Sequence, residues 1–229
     1  MSHAVPQTSS TQSELSRRAA SVCFWSAATF LLLLALLHLL RPDMDPSWRF
    51  ISEYELGDFG WVMQLAFLTL SLSCVTSCVA LFSQARTVAG YIGMFTVMLT
   101  AFGLILGGVV VPGEKPGLHD LGATLNHLPF GAPLINWSLS RNPAWKRAKP
   151  MLLGTAFLPL VGLVLFFVSL GIMLPRNGGK PGPTVLVGWQ NRVLVVLECA
   201  WLMATAYYAS KLGTVDSTTG EPTHGKSSD

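Results

Sequence analysis

The sequence predicts an all-α, polytopic membrane helix bundle with six transmembrane helices. Three observations carry that prediction. Charged residues make up only 12% of the chain and hydrophobic residues 51%, against about 25% charged in an ordinary soluble domain. The apolar residues stand in long runs, while the polar ones collect at the chain ends and in short blocks between runs. The basic residues concentrate on alternate connections, as they do in proteins that cross a bilayer repeatedly. A formal net charge of +3 is too small and too dispersed to suggest nucleic acid as a partner. The expected partners are membrane lipids.

Residues 1–18 are rich in Ser, Thr and Gln without an apolar period, and are predicted to form a disordered cytoplasmic tail. The first apolar run, 19–40, is longer than a signal-peptide core of about 7–15 residues. It closes on Leu-Leu-Arg-Pro-Asp rather than on small residues, so it is expected to remain as an anchor. Runs 59–82, 89–111 and 151–174 contain no charge. Each exceeds the ~20 residues that a helix needs to cross ~30 Å of hydrocarbon. Runs 118–139 and 185–210 are long enough but polar, carrying His119, Asp120, Asn126, His127, Gln190, Asn191, Arg192 and Glu198. Pro129 and Pro133 are expected to kink or break the fourth span. If that segment were re-entrant instead, five spans would remain and the termini would lie on opposite sides. Residues 211–229 read as a second solvated, disordered cytoplasmic tail, which leaves 19–210 as the membrane domain.

Six spans with the N-terminus inside put Arg17, Arg18, Arg86, Arg141, Lys146, Arg147, Lys149, Lys211 and Lys226 on the cytoplasmic face, nine of the 15 basic residues. Short loops dense in Lys and Arg stay in the cytoplasm, so both termini are expected there. Trp48, Trp61 and Trp189 fall near the outer interface, and Trp137 and Trp145 near the inner one, as an aromatic belt would. The four cysteines, Cys23, Cys74, Cys78 and Cys199, lie inside apolar runs and are expected to be free thiols that pack. Gly103 and Gly107 form a GxxxG pair suited to close helix packing.

Sorting the polar residues by depth places nearly all of them in the outer half of the membrane. His38 ends the first span, His119 and Asp120 begin the fourth, and Gln190 and Arg192 begin the sixth. Asp120 and His127 are seven residues apart and share a helix face, as do Asn191 and Glu198. An ionised side chain near mid-membrane costs at least ~2.5–3.5 kcal/mol unless it meets a partner or water, so Arg192 and Glu198 should face the bundle interior. The candidate ligand-pocket residues are His38, Arg49, Glu53, His119, Asp120, His127, Gln190, Arg192 and Glu198, in a polar cavity between spans 1, 4 and 6 beneath the loop that follows the first span. Arg192 would pair with an anionic group, with His119, Asp120 and Gln190 supplying hydrogen bonds. The competing reading makes the same residues a set of ion pairs that lock the bundle, Arg192 with Glu198 or Asp120. Ser52 reads as a turn residue, and Glu53 and Glu55 as solvated loop charges.

Catalysis is the weaker alternative. No HExxH or other metal spacing is present, no nucleophile elbow surrounds Ser52, and no nucleotide or haem motif occurs, so no metal and no cofactor is expected. The functional reading is an integral membrane protein that binds a lipid or small amphiphile in an outward-facing polar pocket. A membrane-embedded, hydrolase-like lipid enzyme using His127 and Asp120 is one alternative. A small transporter and a purely structural membrane protein are the others.

Several blocks carry a family resemblance. These are His38-Leu-Leu-Arg-Pro-Asp-Met-Asp-Pro, Ile51-Ser-Glu-Tyr-Glu-Leu-Gly-Asp-Phe-Gly-Trp61, Leu118-His-Asp-Leu-Gly-Ala, Ser140-Arg-Asn-Pro-Ala-Trp145 and Gly188-Trp-Gln-Asn-Arg192. Together they resemble the domain of unknown function 998 (DUF998) family across most of residues 20–210. Gln-Asn-Arg stands here where the family pattern has Gln-Arg. The resemblance implies a bacterial or archaeal protein of about six membrane helices, and the bacterial inner (cytoplasmic) membrane as its location. It implies no reaction.

Overall fold

The computed structural model describes residues 14–126, 130–180 and 182–212. Eight α-helices occur among them: α1 (Glu14–Leu40), α2 (Gly60–Leu81), α3 (Val88–Val109), α4 (Pro116–Asn126), α5 (Gly131–Ser140), α6 (Lys149–Thr155), α7 (Leu158–Arg176) and α8 (Val187–Lys211). Short 3₁₀ turns at Ile51–Glu55, Phe82–Gln84 and Pro143–Ala148 join them. Five of the resulting helical stretches are long and apolar enough to cross a membrane, including Pro143–Arg176 as one continuous run. The fold is thus an all-α helical membrane bundle.

The helices begin and end where local chemistry dictates. Helix α1 starts at Glu14, inside the segment assigned to the disordered tail. Glu14 accepts from Arg17 and Arg18, one turn ahead, and these i, i+3 and i, i+4 pairs extend the helix beyond its apolar run. Thr87 caps α3 by accepting from Gly90 N, and Asn142 caps the basic 3₁₀ turn by accepting from Ala144 N. Residues 1–13 and 213–229, the rest of the expected tails, lie outside the described residues.

The fourth span is two helices, α4 of 11 residues and α5 of 10, each too short to cross alone. Pro133 sits in the first turn of α5, where its missing N–H costs nothing. Pro129 lies outside the described residues. Both halves pack along α3. At one end His119 Nδ1 lies 2.9 Å from Val110 O. At the other, Arg86 N and Thr87 N donate to Ser138 Oγ. In between, Cβ atoms at Gly103 and Gly93 would meet Gly122 O and Gly131 O at 2.6 and 2.9 Å, so only glycine permits so close an approach. On either side of residues 127–129 the broken segment therefore runs antiparallel to α3 and makes another pass of the chain along the bundle.

Helix α1 packs on α2 and α8, α2 on α3, and α7 on α8. Along α1 and α8, Cys23 lies against Leu202 O while His38 meets Arg192. The two run antiparallel, and the start of α1 and the end of α8 share one face of the bundle. That geometry gives the chain an even number of passes along the bundle. Among the described residues this terminal face carries Arg17, Arg18, Arg86, Arg141, Lys146, Arg147, Lys149 and Lys211. The opposite face carries the 41–59 loop. All four cysteines are buried and free. Trp61 and Trp189 are exposed, as interfacial residues should be, but Trp145 is wholly buried and belongs to the core rather than to the belt.

Candidate functional site

The 41–59 loop is built by its own charges. Arg41 forms a two-bond pair with Asp43 and donates to Leu56 O and Asp58 O at 2.7 and 2.9 Å. Glu53 accepts from Arg49 Nη1 at 2.8 Å and from Phe50 N at 2.7 Å, which closes the Ile51–Glu55 turn. Gly60 completes the return into α2, where a Cβ would lie 2.2 Å from Glu55 O. Glu55 itself is 5% exposed, and neither carboxylate oxygen has a hydrogen-bond partner among the described residues. Burial pushes its carboxyl up to about 8. It is a buried acid, not the solvated charge expected from the sequence.

Helix α8 docks onto this loop through Arg192, which is 6% exposed. Its Nε donates to His38 Nε2 at 2.8 Å, Nη1 to Arg49 O at 2.7 Å and Gly188 O at 3.0 Å, and Nη2 to Tyr54 Oη at 3.3 Å. Because Arg192 can only donate, His38 Nε2 accepts. The His38 proton then sits on Nδ1, 2.7 Å from Leu34 O. The neighbouring Asn191 accepts from Ile51 N at 3.0 Å, and Gly188 N donates to Ser47 O at 2.9 Å. Four of the five guanidinium N–H groups are thus spent within the protein. The alternative lock, an ion pair of Arg192 with Glu198 or Asp120, does not form. Among the described residues Glu198 and Asp120 form no ion pair.

A cavity of about 460 Å³ lies beside this lock, in the membrane half nearest the loop. Its roof is Phe50, Ile51 and Ser52. Its walls are Phe67 of α2, Gly103, Leu104 and Gly107 of α3, Phe166, Phe167 and Leu170 of α7, and Asn191 and Val195 of α8. Helix α4 supplies His119, Asp120, Gly122, Ala123, Thr124 and Asn126. Helices α4 and α7 pack on α3 and α8 respectively and make no extended contact with each other. They part at this level and leave the cavity between them. The volume falls within the range of small-molecule sites, and so does the mixture of apolar walls with a few polar groups.

The expected cluster therefore divides in two. His38, Arg49 and Arg192 belong to the lock, with Glu53 bracing Arg49. His119 and Asp120 line the cavity. Gln190 and Glu198 line neither, and Gln190 Oε1 is buried without a partner among the described residues. His127 lies outside the described residues. Helix α1 contributes nothing to the cavity wall, because His38 is turned to Arg192 and α2 stands between. Sequence reasoning missed the aromatic and aliphatic wall of Phe67, Leu104, Phe166, Phe167 and Leu170, which carries no signal distinct from any lipid-facing run. It read Ser52 as a turn residue and missed its place in the roof. Tyr54, 0% exposed, also went unmarked as a partner of Arg192.

A family model described as "Protein of unknown function (DUF998)" matches residues 14–208, nearly all of the membrane domain. No curated protein and no solved structure matches the chain significantly.

Proposed function

The chain belongs to the DUF998 family, and from that premise we propose that it is a membrane protein that holds the apolar part of a lipid or other small amphiphile in the cavity beneath the 41–59 loop. The observation that carries this reading is the cavity's composition. Five side chains from α2, α3 and α7 make a greasy wall, and Ser52, His119, Asp120 and Asn126 stand among them. Such a site accepts a molecule with an apolar body and a polar head. Its position between α4 and α7 gives lipid a sideways route from the bilayer without passage through water. The basic terminal face supports an orientation with both termini in the cytoplasm, and the family resemblance supports the bacterial inner membrane as the location. The cavity then opens toward the outer leaflet.

Gly107 allows a clean test. A Cβ there would touch only Phe67, at an ordinary 3.7 Å, so Gly107→Leu extends into the cavity without straining the backbone. Native mass spectrometry of the protein in mild detergent, after incubation with bacterial lipid extract, should show a lipid adduct on the wild type and its loss from Gly107→Leu. A bare polypeptide mass for the wild type, or the same adduct on both proteins, would sink the proposal.

A further inference from the structure

The chemistry of the cavity mouth narrows the ligand, on the premise that the cavity does bind an amphiphile. The basic groups nearest to it belong to the lock and do not line the cavity, although Arg49 Nε has no partner among the described residues. Arg192 spends four of its five N–H groups on His38, Tyr54 and two carbonyls, and Arg49 gives Nη1 to Glu53. No Lys or Arg lines the cavity among the described residues. An anionic head would find no cation there.

What faces the cavity at its mouth is one negative charge and a set of acceptors, with the amide donors of Asn126 and Asn191 also on the wall. Asp120 is exposed on the wall, and its carboxylate makes no hydrogen bond or ion pair among the described residues. The carbonyl of Val110 can only accept, so the neutral His119 ring carries its proton on Nδ1. That leaves Nε2 as a bare lone pair. Ser52 in the roof makes no side-chain hydrogen bond among the described residues, and its hydroxyl oxygen can accept. Asn126 lies six residues further along α4, about 9 Å deeper at 1.5 Å per residue. Its Oδ1 is another buried acceptor without a partner among the described residues. Asp120 brings one negative charge, and Asp120, His119 and Ser52 bring at least three acceptor positions to one mouth. We infer that the head group held there is a primary ammonium, which matches that mouth with one positive charge and three N–H donors. A quaternary ammonium supplies the charge without the donors. A glycerol head supplies donors without the charge.

Lysophospholipids with one common acyl chain and ethanolamine, choline or glycerol heads separate these cases. Each is added at equal concentration to the protein in mild detergent, and occupancy is read by native mass spectrometry. The ethanolamine form should occupy the wild type about tenfold better than either of the others, the equivalent of ~1.4 kcal/mol. In Asp120→Asn that preference should collapse toward unity, while the glycerol form, relieved of the Asp120 charge against its phosphate, binds at least as well as before. Gly107→Leu should lose all three. Equal occupancy by the three heads in the wild type, with loss in Gly107→Leu, would overturn the ammonium inference and leave the amphiphile site standing. So would a choline form that binds as well as the ethanolamine form, or a preference that survives Asp120→Asn. Absence of binding to the wild type, or binding that ignores Gly107→Leu, would overturn the amphiphile site and this inference with it.

Discussion

The Arg192 lock and the mouth of the cavity lie at the same face of the bundle, draw on the same kinds of residue, and balance their hydrogen bonds in opposite ways. At the lock, four of the five Arg192 donors meet acceptors, and Arg49 Nε alone of the lock's side-chain atoms stays buried without a partner among the described residues. His38, Tyr54, Arg49 O and Gly188 O take up the guanidinium, and His38 passes its remaining valence to Leu34 O. At the mouth, Asp120, Ser52 and one nitrogen of His119 are left over. A polar group paired inside the protein holds a fold together, and one left without a protein partner at a partly open mouth is free to meet water or a ligand. The difference between a structural histidine and a site histidine here is the partner on its second nitrogen, not its residue type.

The strongest way to break the comparison is to empty the lock. Arg192→Leu strands the Arg49 and Gly188 carbonyls and leaves the 41–59 loop tied to α8 only through Asn191 and Gly188 N. It should cost about 3 kcal/mol of stability, a fall in Tm of roughly 6–12 °C for a chain of this size, measured by thermal unfolding in detergent. In the same assay Asp120→Asn should stay within about 0.5 kcal/mol of wild type, because no group among the described residues bonds to that carboxylate. Equal losses from the two substitutions would erase the distinction drawn here.

A smaller effect is expected where α8 meets the loop backbone. A Cβ at Gly188 would stand 2.4 Å from Pro46 O and 2.7 Å from Trp48 N. Backbone atoms cannot rotate away as a side chain would, so Gly188→Ala should destabilise by about 1–3 kcal/mol. Wild-type Tm in this variant would show that the docking is looser than the geometry implies.

A separate effect is a slope with pH. Glu55 is held protonated by burial, with its folded-state value about 8 against an ordinary carboxyl value of 4.5. The folded protein therefore binds a proton that the unfolded chain releases above about 4.5. The stability that this proton contributes is complete below 4.5 and is lost as pH rises toward 8. Thermal unfolding should show Tm falling between pH 5 and 8, and Glu55→Gln should flatten that fall and raise Tm at pH 8. An unchanged slope in Glu55→Gln would assign the pH dependence to another group.

How much of this was legible beforehand differs from element to element. Each long span was visible because hydropathy is a local property, summed over about 20 neighbouring residues. The break in the fourth span was visible too, since proline acts on its own helix. The helix start at Glu14 was not, because two i, i+3 and i, i+4 pairs outweighed a polar composition. Glu53 and Glu55 are two residues apart and alike in sequence, yet one braces Arg49 and the other is buried. Which of them points inward follows from the turn that Gly60 and α2 impose. Asn126 and Asn191 were both noted as polar groups on helix faces. Only the structure shows Asn191 satisfied by Ile51 N and Asn126 Oδ1 left over.

The sequence by itself determined the all-helical membrane fold, the polar and Pro-broken fourth span, and the concentration of polar groups at one end, because period, composition and charge are read along the chain. The tertiary structure decided that the start of α1 and the end of α8 share a face, so that the chain passes along the bundle an even number of times. It also decided which side of each polar residue is spent. His38 and Arg192 stand 154 residues apart, and no local rule predicts that they meet while the Asp120 carboxylate finds no partner among the described residues. The gap between α4 and α7 belongs to the same class of fact. It arises where two helices pack on different neighbours, and packing between distant segments exists only once the chain has folded.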